Sequence, residues 1–203
     1  MIVIGLTGSI GMGKSTLAKQ FGNYHEVAVC DSDAIVHRLL SKGGKAVAPV
    51  AKLFPAVFSD GAIDRDALGR EVFGHKAKLR KLEGIVHPLV REAQDQFIAR
   101  AQKNKKQVTV LDIPLLFETG GEKRCDYTVV ATASLAVQRD RVFARPNMTE
   151  EKFKRILALQ MPDKEKRARA DFVVNTGRGM EASAREVKDI LYRLLKKAAR
   201  KSR

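Results

Sequence analysis

The segment Gly8-Ser9-Ile10-Gly11-Met12-Gly13-Lys14-Ser15 fits the spacing G-x-x-x-x-G-K-[ST] at every fixed position. The chemistry it points to is phosphate binding. Gly8, Gly11 and Gly13 let the backbone curl around Met12 so that successive N–H groups face an anion, and a helix opening near Lys14 adds the positive end of its dipole. Lys14 is expected to reach the β- and γ-phosphates of a nucleotide, Ser15 to ligate Mg²⁺, and Thr16 to assist toward the α-phosphate. A glycine-rich turn with an incidental Lys-Ser is the blander reading, and the flanks disfavour it, because a buried-strand pattern precedes the loop and a helical one follows.

Transfer chemistry needs further groups. A carboxylate at a strand end would complete a magnesium site, and Asp112, closing the apolar run Val108–Leu111, fits it; its alternative is to cap a turn before Pro114. Asp31 and Asp33 follow another apolar run with one residue between them. A hydroxyl acceptor requires a base, and Asp33 is the expected base; if a helix starts at Ser32, one of the pair caps it. Arg139, Arg141 and Arg145 cluster farther on. Arg141 and Arg145, spaced i, i+4, are expected to share a helix face in a lid that neutralises the transferred phosphoryl group, the alternative being ordinary surface cations.

The elements that must position these groups read as alternating strands and helices. Short apolar runs at Ile2–Leu6, Glu26–Cys30, Gln107–Leu111, Tyr127–Thr132 and Asp171–Val174 predict five buried parallel strands, with helices on both faces. Leu17, Ala18 and Phe21 mark the first helix. Residues 32–106 show helical patterns rather than strands: one over Asp64–Phe73 after the turn Ser59-Asp60-Gly61, and one starting near His87-Pro88, where proline suits a first turn. Two more helices are expected before the fifth strand, capped by Ser134 and Thr149. The last helix carries Val187, Ile190, Leu191, Leu194, Leu195 and Ala198 at 3,4 spacing. The fold class is therefore α/β, a three-layer P-loop architecture with a five-stranded parallel sheet, a helical acceptor-binding insertion and a helical lid. It reads as a single domain: a core of about residues 1–31, 107–135 and 169–203, an insertion over about 32–106, and a lid over about 136–168.

With 203 residues, 44% of them apolar, the chain can bury one sizeable core. No apolar run is long enough to span a bilayer, and Met1–Leu6 is too short for a signal peptide, so a soluble, cytoplasmic protein is expected. Cys30 and Cys125 form no metal-ligand or disulfide pattern. A net charge of +15 suits polyanionic partners without naming one. The dense basic stretch from Lys196 to Arg203 reads as a solvated helix end, whose cations complement the dipole, rather than a nucleic-acid patch.

Taken in order, Ile4 to Thr16, Asp31-Ser32-Asp33-Ala34, Asp60 to Arg65, His87-Pro88, Asp112 to Glu118, Gln138-Arg139-Asp140-Arg141, Arg145, Gln160 and Ala170 to Gly177 closely resemble the dephospho-CoA kinases, over nearly the whole chain. The resemblance implies ATP-dependent phosphorylation of the ribose 3′-hydroxyl of dephospho-CoA, giving coenzyme A and ADP. It implies that Asp33 is the base and that Arg65 and His87 lie on the acceptor side. It further implies that Arg141 serves the nucleotide phosphates and that Asn175 lies near the adenine. Ser9 and Met12 depart from the family's usual glycine and small residue, both at variable positions of the loop.

Two other readings stand beside this one. Another small-metabolite or nucleoside kinase would share the loop. A nucleic-acid-binding P-loop protein would suit the charge, but aromatic residues are only 6% and no basic-aromatic interleaving offers stacking platforms. The expected partners are ATP and dephospho-CoA, with no membrane or nucleic acid, and a monomer is the favoured state.

Overall fold

The computed structural model describes residues 1–72 and 74–201, with Lys201 described by its backbone alone. The final residue of the predicted Asp64–Phe73 helix and Arg203 of the basic tail lie outside the described residues. The chain divides into two compact units, one of Met1–Cys30 with the residues from Ala101 onward, the other of Asp31–Arg100.

In chain order the elements are β1 (Ile2–Thr7), α1 (Lys14–Gly22), β2 (Val27–Asp31), α2 (Ser32–Leu40), α3 (Val47–Leu53), β3 (Phe58–Ser59), β4 (Ala62–Ile63), α4 (Arg65–Val72) and α5 (Lys76–Lys103). There follow β5 (Val108–Asp112), β6 (Tyr127–Thr132), α6 (Leu135–Phe143), α7 (Glu150–Ala158), α8 (Asp163–Arg169), β7 (Phe172–Asn175) and α9 (Met180–Lys201).

The first unit is built on a five-stranded sheet of order β2-β5-β1-β6-β7. β1 pairs in parallel with β5, Leu6 opposite Asp112, and with β6, Thr7 opposite Val130; β6 pairs in parallel with β7. Alternation along β1 sorts its side chains onto two faces. Ile4 and Leu6 point into a core with Val108, Val110, Val129, Ala131 and Val174, closed by Leu17 and Phe21 of α1 and by Val187, Ile190, Leu191 and Leu194 of α9. The apolar 3,4 spacing of α9 thus packs on the sheet as expected. On the opposite face, a Cβ at Gly5 would come within 2.8 Å of both Leu116 Cδ2 and Cys125 Sγ, so the turn after β5 packs directly on the strand backbone.

The second unit contains α2, α3, α4, most of α5 and a small antiparallel hairpin of β3 with β4. Its buried apolar residues include Ile35, Leu39, Leu40, Val47, Val50, Phe54, Val57, Ile63 and Leu68. Three expectations are corrected. The insertion is not wholly helical: Asp60 and Gly61, both at positive φ, close the hairpin, with Phe58 opposite Ile63. The long helix does not begin near His87 but at Lys76, with Pro88 inside it. Proline removes one internal bond, and the rest of a 28-residue helix carries the chain across it. Finally, α8 is a third helix before β7. Its run Asp163-Lys164-Glu165-Lys166-Arg167-Ala168-Arg169 has no apolar periodicity to announce it. Among the described residues, no helix is long and apolar enough to cross a membrane.

Candidate active site

The loop between β1 and α1 leaves the sheet at its carboxyl edge, where β1 lies between β5 and β6 and connections depart in opposite directions. Its shape depends on glycine. Gly11 and Gly13 have φ of 76° and 82°, a left-handed region that other residues enter at a cost. Both are also crowded: a Cβ on Gly11 would lie 2.6 Å from Val142 Cγ2 and 2.9 Å from the Gln138 carbonyl, and one on Gly13 2.6 Å from Thr176 Oγ1. Gly8 is held by approach alone, with the Ala131 carbonyl 2.8 Å from a Cβ placed there. Gly13 then serves as the N-cap of α1 without any side-chain cap, leaving the first-turn N–H groups of Lys14 and Ser15 for an incoming anion, while Thr16 N donates to the Gly13 carbonyl at 3.0 Å.

Four contacts brace the loop. The Gln160 amide oxygen accepts from Ile10 N at 3.0 Å, and Gln138 Nε2 donates to the Ile10 carbonyl at 2.7 Å. Ala133 N approaches Met12 Sδ at 3.1 Å, which gives the unusual Met12 a fixed place under the end of β6. Thr176 Oγ1 donates to the Met12 carbonyl at 2.9 Å, with the Thr132 carbonyl at 3.3 Å.

Lys14 pairs with Asp112, whose carboxylate is almost fully buried at the end of β5. The register that sets Leu6 opposite Asp112 explains the meeting, since the strand end and the loop leave the sheet side by side. A buried carboxylate needs such a partner.

Arg141 reaches back from α6. Its Nη1 donates to Thr176 Oγ1 at 2.8 Å and lies 3.4 Å from the Gly11 carbonyl, and its Nη2 donates to the Thr176 carbonyl at 2.9 Å. The guanidinium thus stands against the loop. The other two arginines do not join it. Arg139 forms a two-bond pair with Glu150 at 3.0 and 2.8 Å and lies over the Phe143 ring. This pair, chiefly through its side-chain hydrogen bonds, lowers the Glu150 carboxyl below its ordinary value. Arg145 does not share a helix face with Arg141, because α6 ends at Phe143 and Arg145 is exposed beyond it. The caps predicted for Ser134 and Thr149 are present, accepting from Val137 N and Lys152 N. Asn175 closes β7 with its Oδ1 accepting from Gly177 N at 2.9 Å.

In the second unit, Asp31 is the cap, its Oδ1 accepting from Ala34 N at 3.0 Å, so Asp33 is left exposed in the first turn of α2. Arg65 opens α4 and its Nη1 lies 3.0 Å from His37 Nδ1, while His87 is half-buried within α5. Gln94 Nε2 donates to Ser32 Oγ, tying α5 to the start of α2.

Thr176, Gln138 and Gln160 stand in the sequence only as letters of the family pattern. Their roles as braces depend on partners more than 30 residues away, and no local signal carries that. Lys166, fully buried, has no place in that pattern at all.

A family model described as dephospho-CoA kinase matches residues 2–181. A protein of Mesorhizobium japonicum named dephospho-CoA kinase is 55% identical over 191 residues, covering 94% of this chain and 95% of that one. A solved structure from Thermus thermophilus superposes with a TM-score of 0.84 at 36% identity, covering 95% and 97% of the two chains. The dephospho-CoA kinase of Campylobacter jejuni, at 23% identity and a TM-score of 0.61 over 94% and 96%, shares the fold. A phosphate loop braced in this way, on a sheet of this order, in a chain matched by that family almost end to end: the protein belongs to the dephospho-CoA kinase family.

Proposed function

We propose that the protein transfers the γ-phosphoryl group of ATP to the ribose 3′-hydroxyl of dephospho-CoA, giving coenzyme A and ADP. The observation that carries this is the near full-length identity of 55% with a relative of that name, in a chain whose phosphate loop keeps its glycine geometry and its lysine–aspartate pair.

Gly8, Gly11, Met12, Gly13, Lys14, Ser15 and Thr16 form the phosphate cradle. Phosphate oxygens offer the Lys14 ammonium acceptors that compete with Asp112. Arg141, already beside the loop, neutralises charge on the transferred group. Arg145 and Asn175 complete the nucleotide set, Asn175 on the adenine side. Residues of about 136–168 act as the lid, and about 32–106 hold the acceptor, with Arg65 and His87 contacting it.

Ser15 and Asp112 would hold Mg²⁺. One hydroxyl and one carboxylate fit that ion, which keeps waters and takes phosphate oxygens rather than an all-protein cage, and among the described residues no cluster of three His, Cys, Asp or Glu offers such a cage. Held by these two residues, Mg²⁺ would supply charge neutralisation to the nucleotide phosphates. Asp33 takes the proton of the 3′-hydroxyl as its oxygen bonds to phosphorus and the bond to ADP breaks. Cytoplasmic placement accompanies this reading, since ATP is drawn from there.

The test is ADP release measured with purified protein across acceptors. Turnover with dephospho-CoA is expected. Turnover with a nucleoside or nucleoside monophosphate, and none with dephospho-CoA, overturns the assignment.

A further inference from the structure

Lys166 has no solvent exposure, and nothing in the reaction above uses it. Its Nζ lies 2.9 Å from Glu118 Oε1 and donates to the Pro114 carbonyl at 3.3 Å. Both partners belong to the turn after β5. Each is also tied to the phosphate loop by a second bond. The Pro114 carbonyl accepts from Thr7 Oγ1 at 3.0 Å, the residue before Gly8. Glu118 Oε1 accepts from Met161 N at 2.7 Å, and the preceding residue, Gln160, accepts from Ile10 N. One buried ammonium thus joins the two segments that brace Thr7 and Ile10 on either side of Gly8. Glu118 Oε2 is buried without a partner among the described residues, an arrangement that a pair kept only for stability would gain by avoiding.

We propose that Lys166, through Glu118 and Pro114, is a positioning residue for the phosphate loop: the buried pair holds the 160–166 segment against the turn after β5, so that Gln160 fixes the Ile10 amide in the cradle. A buried ion pair is weak support for a fold, since replacing both members is often neutral, whereas removing one strands a charge. That difference separates the two roles. The inference rests on the nucleotide-binding reading.

The experiment compares Lys166→Met/Glu118→Gln with the wild type. The side-chain amide that Glu118→Gln introduces can still accept from Met161 N, and α8 retains its anchor at Asp163, which accepts from Thr132 Oγ1 at 2.9 Å and pairs with Arg167 at 2.8 Å. The paired variant is expected to unfold at nearly the wild-type urea midpoint, with ADP affinity down by about tenfold and the KM for dephospho-CoA unchanged. Gln160→Ala is expected to give the same loss, and adding it to the paired variant no more, because both act through one bond. ADP affinity within about twofold of wild type in the folded paired variant overturns the positioning role, as does additivity with Gln160→Ala. If the paired variant does not fold, Glu118→Gln is read by hydrogen exchange at the Ile10 amide: faster exchange supports the role, and unchanged protection overturns it. Wild-type ADP binding is the first measurement. Its absence defeats the nucleotide reading itself, whereas normal wild-type binding with unaltered variants defeats this inference alone.

Discussion

Replacing the Thr176 hydroxyl tests the brace between α6 and the phosphate loop. Thr176→Val keeps the shape of a buried side chain, 5% exposed, and deletes one oxygen. That oxygen donates to the Met12 carbonyl at 2.9 Å and accepts from Arg141 Nη1 at 2.8 Å. Losing the first leaves a buried carbonyl short of a donor, worth about 1–3 kcal/mol. Losing the second costs little, because Arg141 keeps the Thr176 carbonyl at 2.9 Å and is partly exposed to water. The sum is about 2 kcal/mol. With a urea m-value of about 2.5 kcal/mol per M, that is a midpoint shift of about 0.8 M. Thr176→Ser keeps the oxygen and gives up one buried methyl group, about 0.8 kcal/mol or roughly 0.3 M. Equilibrium urea unfolding of the three proteins distinguishes the terms. A shift for Val no larger than that for Ser refutes the argument that the hydroxyl bridges loop and helix.

Gly11→Ala combines a φ of 76° with a Cβ 2.6 Å from Val142, so the loop must deform and ADP binding should be lost while circular dichroism remains native. Gly43→Ala is its control, since φ is 77° but nothing lies within 4 Å; only about 1 kcal/mol of stability should go, with activity intact, and a larger loss would contradict the conformational account. Asp33→Asn should lower kcat by roughly a hundredfold or more with ADP affinity unchanged, and near-normal turnover would remove Asp33 from the base role. Burial pushes the Cys125 thiol up to about 11, Asp126 and Glu122 adding to the effect and Arg124 opposing it. Since only the thiolate is alkylated, its iodoacetamide rate should rise about tenfold per pH unit from 7 to 10, and a plateau near pH 9 would show the thiol is not held up.

The phosphate loop was legible because its determinants are local. Gly11 and Gly13 are needed for their own φ, and Lys14 and Ser15 follow them directly on a helix start. The five strands and the caps at Ser134 and Thr149 were legible for the same reason: a strand's alternation and a cap's hydroxyl act within a few residues. Where local rules conflict with a long element, they misled. Pro88 reads as a helix start, yet it lies within Lys76–Lys103 because the residues on both sides sustain the helix. The two-residue strands β3 and β4 are too short to show a period.

What only the tertiary structure decided is which distant side chains meet. Of three clustered arginines, Arg141 alone was brought to the loop, since Arg139 found Glu150 and α6 ended before Arg145. The charged run of α8 has no apolar periodicity to announce a helix, yet packing against β6 and the turn after β5 buries Lys166 completely and supplies Glu118 and Pro114 to receive it. The physical reason is that hydrogen bonds and ion pairs are satisfied through space. A sequence states which groups must find partners, and the sheet order β2-β5-β1-β6-β7 decides which partners are within reach.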